Sequence, residues 1–257
     1  QNGNIFKGIK GGKAFTNDGI SIKAENFEYN KILTTLISDG NVELRDSKKN
    51  IIIKANKILY SKNNEIIIAE KNVELKDLKK NILIKADKIS YFKDQEKIIA
   101  NKEVELKDLE LETIIRGDEI SYFKKEEKII ANKEVELIDN KKDIFINTDR
   151  ITYLKQKEKI FTEGQTIASI HSKYNFFSKN VTFLKNEMEL SSSYKTIITD
   201  NTGSSYEVEN FNFQIKKEFL KASNISVIQN TAAKIGESER LFFESGFFDL
   251  KNKNFKT

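Results

Sequence analysis

The stretch IKADKISYFKDQEKIIANKEVELKD, residues 84–108, holds most of one copy of a repeat that decides the fold. The pattern recurs every 31 residues without insertion or deletion. The recurring tyrosine, valine and leucine positions are Tyr29, Tyr60, Tyr91, Tyr122 and Tyr153; Val42, Val73, Val104 and Val135; and Leu44, Leu75, Leu106 and Leu137. A fixed period of this length indicates one supersecondary unit stacked on copies of itself. We therefore expect function to belong to a surface or groove that the copies share.

Apolar and polar residues alternate within the repeat, which is typical of half-buried strands. Two extended segments, about 81–92 and 96–108, are joined by short polar links that favour antiparallel neighbours. Ile84 and Ala86 have one parity and Ile89 has the other, so we predict a bulge or bend after Ala86. A strand that bends in its middle lies in two facing sheets. The sequence therefore predicts an all-β protein, an elongated, V-shaped antiparallel sandwich built from 31-residue repeats.

The repeats are regular over about residues 20–165 and diverge over about 166–257. Gly164 still matches Gly40, and looser β-like segments follow it. No linker rich in glycine, serine or proline intervenes. We therefore predict a single domain over 1–257.

Composition excludes several classes of chemistry. The chain has no cysteine, so it has neither a disulfide nor a thiolate nucleophile. No stretch approaches the roughly 18 apolar residues of a membrane-spanning helix. The net charge of +5 comes from finely mixed charges, whereas a nucleic-acid binder concentrates its lysines and arginines in a patch. We expect a solvated sheet face with cross-strand ion pairs and no nucleic-acid partner.

No catalytic constellation is visible. His171 is the only histidine, so we expect it to be a surface or edge residue. Glu103 and Glu105 lie on one strand face, as a pair of catalytic carboxylates would, but the pair recurs at Glu134 and Glu136. A catalytic pair would not be copied in every repeat. We predict a protein that is not an enzyme and that uses no cofactor or metal.

The repeated tyrosines are open to three interpretations. They can fill the core between neighbouring repeats. They can line a groove with the ring inside and the hydroxyl at the rim. They can also stack the bases of a single-stranded nucleic acid, although a basic groove usually accompanies that role.

The repeat reads I-x-A-[DN]-x-I-x-Y, a short polar link, and then I-I-A-x-[KG]-x-V-x-L. The segments that carry it are IKANKILY (53–60), IKADKISY (84–91), IRGDEISY (115–122) and INTDRITY (146–153), with SDGNVELRD (38–46) for the second half. This pattern resembles the OstA-type repeat of the lipopolysaccharide-transport proteins LptA, LptC and the N-terminal domain of LptD. The length of the chain and its ending, FFESGFFDLKNKNFKT, favour the LptD N-terminal domain, with an LptA-like protein as the alternative.

The resemblance implies a β-jellyroll in the periplasm of a Gram-negative bacterium, associated with the outer membrane. It implies that the jellyroll shelters lipopolysaccharide acyl chains and passes them toward the outer membrane. The implied partners are lipopolysaccharide and sister jellyroll proteins joined end to end by β-pairing. An outer-membrane barrel and its lipoprotein partner are further candidates.

The predicted lining of the lipid groove is the apolar stripe that the repeats share. Its members are Ile53, Ala55, Ile58, Tyr60, Ile67, Val73, Leu75, Ile84, Ile89, Tyr91, Ile98, Val104, Leu106, Ile115, Ile120, Tyr122, Ile129, Val135 and Leu137. Two other classes stay open: a structural β-solenoid such as an adhesin stalk, with parallel coils, and a sheet that binds a polymer.

The sequence departs from the family pattern at one position. The glycine before Asn-Val is present at Gly40, but the middle repeats have Lys71, Lys102 and Lys133 there. Either these lysines point inward and extend their ammonium groups to the rim of the groove, or the position faces outward.

Overall fold

The computed structural model describes residues 3–229, 239–252 and 254–256. Two compact units divide the chain, Gln1–Ala131 and Asn132–Thr257. Apart from two short 3₁₀ helices, Lys155–Lys157 and Ile215–Lys217, the regular elements of the described residues are strands. No helix in these ranges has the length and apolarity needed to cross a membrane. The prediction of a single domain stays a prediction.

The first unit contains ten complete strands and the start of an eleventh. They are β1 Ile5–Gly8, β2 Gly12–Phe15, β3 Ile20–Ala24, β4 Asn26–Asn30, β5 Thr35–Asp46, β6 Ile51–Ser61, β7 Ile66–Asp77, β8 Ile82–Phe92, β9 Lys97–Asp108, β10 Thr113–Phe123 and β11 Lys128–Asp139. Consecutive strands from β4 to β10 pair antiparallel with their neighbours, while β3 pairs with β2 and β5. The two segments predicted for one repeat agree with β8 and β9 to within one residue.

The predicted bend lies at the corresponding place in the successive repeats of the first unit. Between β7 and β8 the register shifts where Glu70 and Val73 are separated by two unpaired residues. Between β8 and β9 it shifts between Lys85 and Lys88. The bulge resets the parity, so apolar residues on both sides of it point to the same interior. This confirms the bend that the change of parity after Ala86 predicts.

Backbone geometry explains the glycine of the family pattern. Gly40 has a φ of 79°, and the lysines that replace it in the next repeats keep this left-handed geometry, with φ of 68° at Lys71, 66° at Lys102 and 64° at Lys133. All three lysine side chains are exposed on the outer side of the bulge. The outward interpretation is therefore correct, and the inward, snorkelling one is wrong.

The second unit is also built from strands that pair antiparallel. Its strands are β12 Ile144–Leu154, β13 Lys159–Ile170, β14 Tyr174–Lys179, β15 Thr182–Leu184, β16 Glu189–Ser192, β17 Thr196–Asp200, β18 Ser205–Gln214, β19 Phe219–Gln229, β20 Glu239–Asp249 and β21 Asn254–Lys256. In this unit some strands are interrupted where those of the first unit bend. As a result β13 pairs with both β14 and β15, and β18 pairs with both β16 and β17. Two short strands thus replace one long bent strand.

The all-β, antiparallel prediction is confirmed. The pairs described above run antiparallel, in contrast to the parallel coils of a β-solenoid. His171 lies exposed in the turn after β13, as expected.

Candidate functional site

The predicted groove residues all lie in the interior of the folded-over sheet. None is more than 6% exposed, and most are not exposed at all. A single sheet layer leaves one face in water, so this burial requires the halves of each bent strand to cover one another. In this conformation the apolar stripe is continuous from repeat to repeat and is closed to solvent. Its contact with lipid stays a prediction.

The tyrosines lie at one margin of that interior, with one exception. Tyr60, Tyr91, Tyr122 and Tyr153 are buried, whereas Tyr29, on β4, is 36% exposed. The Tyr60 hydroxyl donates to Asp18 Oδ2 at 3.0 Å, and the Tyr122 hydroxyl lies 3.4 Å from Asp77 Oδ2. The rings therefore fill the interior while the hydroxyls reach a polar layer.

That polar layer is a row of buried ion pairs in the first unit. Lys93 Nζ lies 2.7 Å from Asp18 Oδ2 and 3.8 Å from Asp46 Oδ2. Lys124 Nζ lies 3.1 Å from Asp77 Oδ2. Asp46 and Asp77 each end a strand at one tip of the folded sheet, and Asp18 lies in the turn between β2 and β3. Each lysine begins a turn at the other tip. The pairs therefore join the two ends of the sheet on the side opposite the bend.

A second, more exposed row of pairs lies outside the first. Its members are Lys49 with Glu96 and Lys80 with Glu127. In this row the lysines lie at the tip that carries the aspartates of the first row, and the glutamates lie at the tip that carries its lysines. Lys124 Nζ also donates to the backbone oxygen of Lys49 at 2.7 Å, which ties the rows together. We call the two rows the seam; its inner row is Asp46, Asp77, Lys93 and Lys124, and its outer row is Lys49, Lys80, Glu96 and Glu127.

The inner aspartates also hold the turns. Asp77 Oδ1 accepts hydrogen bonds from the backbone N–H groups of Lys79 and Lys80 at 3.1 and 3.2 Å. Asp46 Oδ1 accepts one from Lys49 at 3.0 Å. One carboxylate oxygen therefore closes the turn and the other faces the lysine.

Burial and charge perturb the groups around the seam in opposite directions. Burial would raise the pKa of Asp18, but hydrogen bonds from Lys93, Thr16 and Tyr60 outweigh it and lower that pKa. Burial, followed by the field of nearby carboxylates, raises the pKa of Tyr91 and Tyr122. At neutral pH the Asp18 carboxyl group is thus ionised, and the phenols of Tyr91 and Tyr122 are neutral.

Sequence reasoning missed the seam, although a signal for it was present. Asp46, Asp77, Asp108 and Asp139 recur every 31 residues, as do Lys62, Lys93, Lys124 and Lys155. The fine mixing of charges along the sequence instead predicts that these residues belong to a solvated face. Partners such as Asp77 and Lys124 are 47 residues apart, a separation that is set only when the sheet folds over.

The outer face of the first unit carries the cross-strand ion pairs that the sequence predicts. Arg116 pairs with Glu105 at 3.0 Å, and Lys85 lies 3.9 Å from Glu74. Glu105 also pairs with Lys107 at 3.0 Å. The repeated glutamates are thus part of a solvated face, as expected.

Residues 21–128, less than half of the chain, match the family described as LptA/(LptD N-terminal domain) LPS transport protein. No curated protein sequence matches the chain. Among solved structures the chain is similar to LptH from Pseudomonas aeruginosa, described as the LptA homologous periplasmic component of the conserved lipopolysaccharide transport device. The identity is 13%, the match covers 58% of this chain and 87% of that chain, and the TM-score is 0.25. A TM-score this low does not establish a shared fold.

The segment matched by the family description, 21–128, contains the 31-residue repeats whose pattern resembles the OstA type. It also contains all of the predicted lining residues of the apolar interior except Ile129, Val135 and Leu137, and the whole inner row of the seam. Over these residues the chain is therefore similar to the family described as LptA/(LptD N-terminal domain) LPS transport protein, in agreement with the resemblance that the repeats indicate.

Proposed function

We propose that this chain is a periplasmic lipid-transport module that shelters lipopolysaccharide acyl chains in its apolar interior and passes them toward the outer membrane. The observation that carries the proposal is the interior stripe of buried apolar side chains, repeated through the segment that matches the transport family with Ser38 as a buried polar side chain within it.

The energetics of acyl burial suit a repeated interior. Removing one CH₂ group from water is worth about 0.8 kcal/mol, so an acyl chain of a dozen such groups gains about 10 kcal/mol. A water-filled gap along the path would stop the lipid. Repeats of the same composition instead offer sites of similar free energy, between which a chain can move without a deep trap.

The interior is closed in the present conformation, so acyl chains require the two halves of the sheet to part. The bend is a strained hinge, because lysines occupy left-handed geometry there. The opposite side is held by ion pairs and not by continuous backbone pairing. Opening along the seam therefore preserves the strand pairs of each half.

End-to-end pairing with a sister jellyroll is the second part of the proposal. In the first unit β1 pairs with β4 and β2 pairs with β3, which leaves the other edge of each for a further strand. Ile5, Phe6 and Phe15 on these strands are more than half exposed. Edge strands of this kind are suited to addition of a strand from another chain. An outer-membrane barrel with its lipoprotein partner remains a candidate beyond the jellyrolls.

Displacement of a fluorescent acyl probe by lipopolysaccharide tests the proposal. A photoreactive phenylalanine at interior Tyr91 should crosslink to lipopolysaccharide, whereas the same group at Phe92, the next residue on the outer side, should not. Crosslinks from Phe92 alone, or no displacement of the probe, would contradict it. A charge at Val104 is a poorer test, because that side chain is buried and a carboxylate there would destabilise the fold.

A further inference from the structure

The inner lysines of the seam are in an unusual position for a structural ion pair. Lys93 and Lys124 have side chains only 8% and 6% exposed, and each follows the interior tyrosine of its repeat by two residues. The Lys93 ammonium lies 5.6 Å from the centre of the Tyr60 ring. These cations therefore lie at the boundary between the apolar interior and the more exposed outer row.

Closure of the sheet alone does not require charge at this boundary. Replacing a buried ion pair with well-packed apolar residues is often neutral or stabilising. The sequence nevertheless repeats lysine and aspartate here, although leucine stands two residues before each aspartate and tyrosine two residues before each lysine. A buried ion pair differs from an apolar contact in one useful respect: its cation can exchange one anion for another.

The surroundings of Lys124 allow such an exchange. Its ammonium group keeps a hydrogen bond to the Lys49 backbone oxygen when it leaves Asp77. Asp77 stays in place because its Oδ1 atom holds the turn through the backbone N–H groups of Lys79 and Lys80, and its Oδ2 atom faces the Tyr122 hydroxyl. Lys49 and Lys80, in the outer row, place two further ammonium groups on the solvent side, each beside a glutamate.

We propose that the inner seam lysines, Lys93 and Lys124, bind the headgroup phosphates of the lipid whose acyl chains occupy the interior. The phosphate replaces aspartate as the partner of the ammonium group, so the contact that closes the seam becomes the contact that holds the headgroup. This inference rests on the proposed function and names the part of the lipid that the seam recognises. The two lysines belong to turns two strands apart, or about 10 Å along the sheet, so each repeat offers the same contact to an advancing lipid.

A charge-matched pair of double variants tests this. D77N/K124M removes the inner pair but keeps an Asn oxygen to hold the turn. E74Q/K85M removes the same two charges from a pair on the outer face, where the atoms are 3.9 Å apart. The probes are lipid A with its phosphates, the same lipid A after enzymatic removal of the phosphates, and inorganic phosphate. Binding is measured by displacement of a fluorescent fatty acid, and circular dichroism checks the fold.

The parent protein and E74Q/K85M should prefer the phosphorylated lipid by about tenfold, the value of one charge-assisted contact. D77N/K124M should lose that preference while it still binds the fatty acid. D46N/K93M is the substitute if D77N/K124M does not fold.

Three outcomes would overturn the inference. D77N/K124M could keep the full preference, the parent could show none, or inorganic phosphate could compete as well as the phosphorylated lipid. In all three cases fatty-acid binding by the parent protein would leave the proposed function standing. A parent protein that binds no fatty acid would overturn the proposed function itself.

Discussion

The two compact units use the same strand order but fill and cover it differently. The interior of the first unit is aliphatic, with one tyrosine in each repeat. The second unit has an aromatic cluster instead, in which the Phe176 and Phe213 rings are 5.1 Å apart and Tyr174 lies edge-on to Phe213 at 5.5 Å. Interlocked rings fix one packing arrangement, whereas the aliphatic layers of the first unit present nearly the same packing from one repeat to the next. The proposed movement of an acyl chain requires such repetition.

The outer faces of the two units differ as well, because charged pairs in the first unit are replaced by apolar pairs in the second. Where the first unit pairs Glu105 with Arg116, the second pairs Ile167 with Phe177, and Phe177 in turn with Ile197. All three apolar side chains are exposed. The charged ladder of the first unit thus gives way to a short apolar row in the second.

The largest effect is expected from the buried ion pair of the second unit. Lys185 and Asp139 are both nearly unexposed and lie 2.9 Å apart. Lys185→Ala leaves a buried carboxylate, so we expect the free energy of unfolding to fall by about 3–5 kcal/mol. Lys85→Ala, on the exposed outer face, should cost less than about 1 kcal/mol. Urea denaturation measures both, and equal effects would show that Lys185 contributes only as a surface charge.

Substitutions at the bulge should have the next largest effect on the free energy of unfolding, with opposite signs in the two units. Gly164 has a φ of 92°, and a Cβ there would lie 2.1 Å from Asp149 Oδ2, so Gly164→Ala should destabilise the protein by about 1–2 kcal/mol. Lys102→Gly should stabilise it by about 0.5–1 kcal/mol, because strain relief outweighs the added chain entropy. Thermal unfolding measures both, and destabilisation by Lys102→Gly would show that the lysine side chain contributes more than its backbone strain costs.

Exchanging the outer faces should have a small effect on stability. Ile167→Glu with Phe177→Lys places an ion pair on the directly opposed positions of β13 and β14, and we expect a change of about 0.2–1 kcal/mol. The same exchange should lower self-association measured by light scattering, because it removes exposed apolar area. Unchanged association would indicate that the apolar row is too small to act as a contact surface.

The smallest expected effect concerns acid sensitivity in the first unit. The pKa of Asp18 is lowered in the folded state, so its contribution is present above its unfolded value near 3.8 and is lost as pH falls below that value. Asp18→Asn should therefore destabilise the protein at pH 7 and make less difference at pH 3. Melting temperatures at the two pH values test this, and a constant difference would exclude Asp18 ionisation as the cause.

The repeat made much of the first unit predictable. Strand type and the bend follow from the period of 31 and from the change of parity between Ala86 and Ile89, because alternation and its interruption are local properties. The 19 predicted lining residues are all buried for the same reason. The second unit was less predictable, because its four strands β14 to β17 stand in the place of two long bent strands and are short pieces that carry no clear period.

The sequence by itself determined the antiparallel strands, their bends and the apolar stripe, since each depends on residues close together along the chain. Only the tertiary structure decided that Asp77 meets Lys124, that Lys102 points outward, and that the side opposite the bend is held by ion pairs. Those features depend on how far the sheet folds over, and that angle follows from the sum of many packing contacts and from no short stretch of sequence.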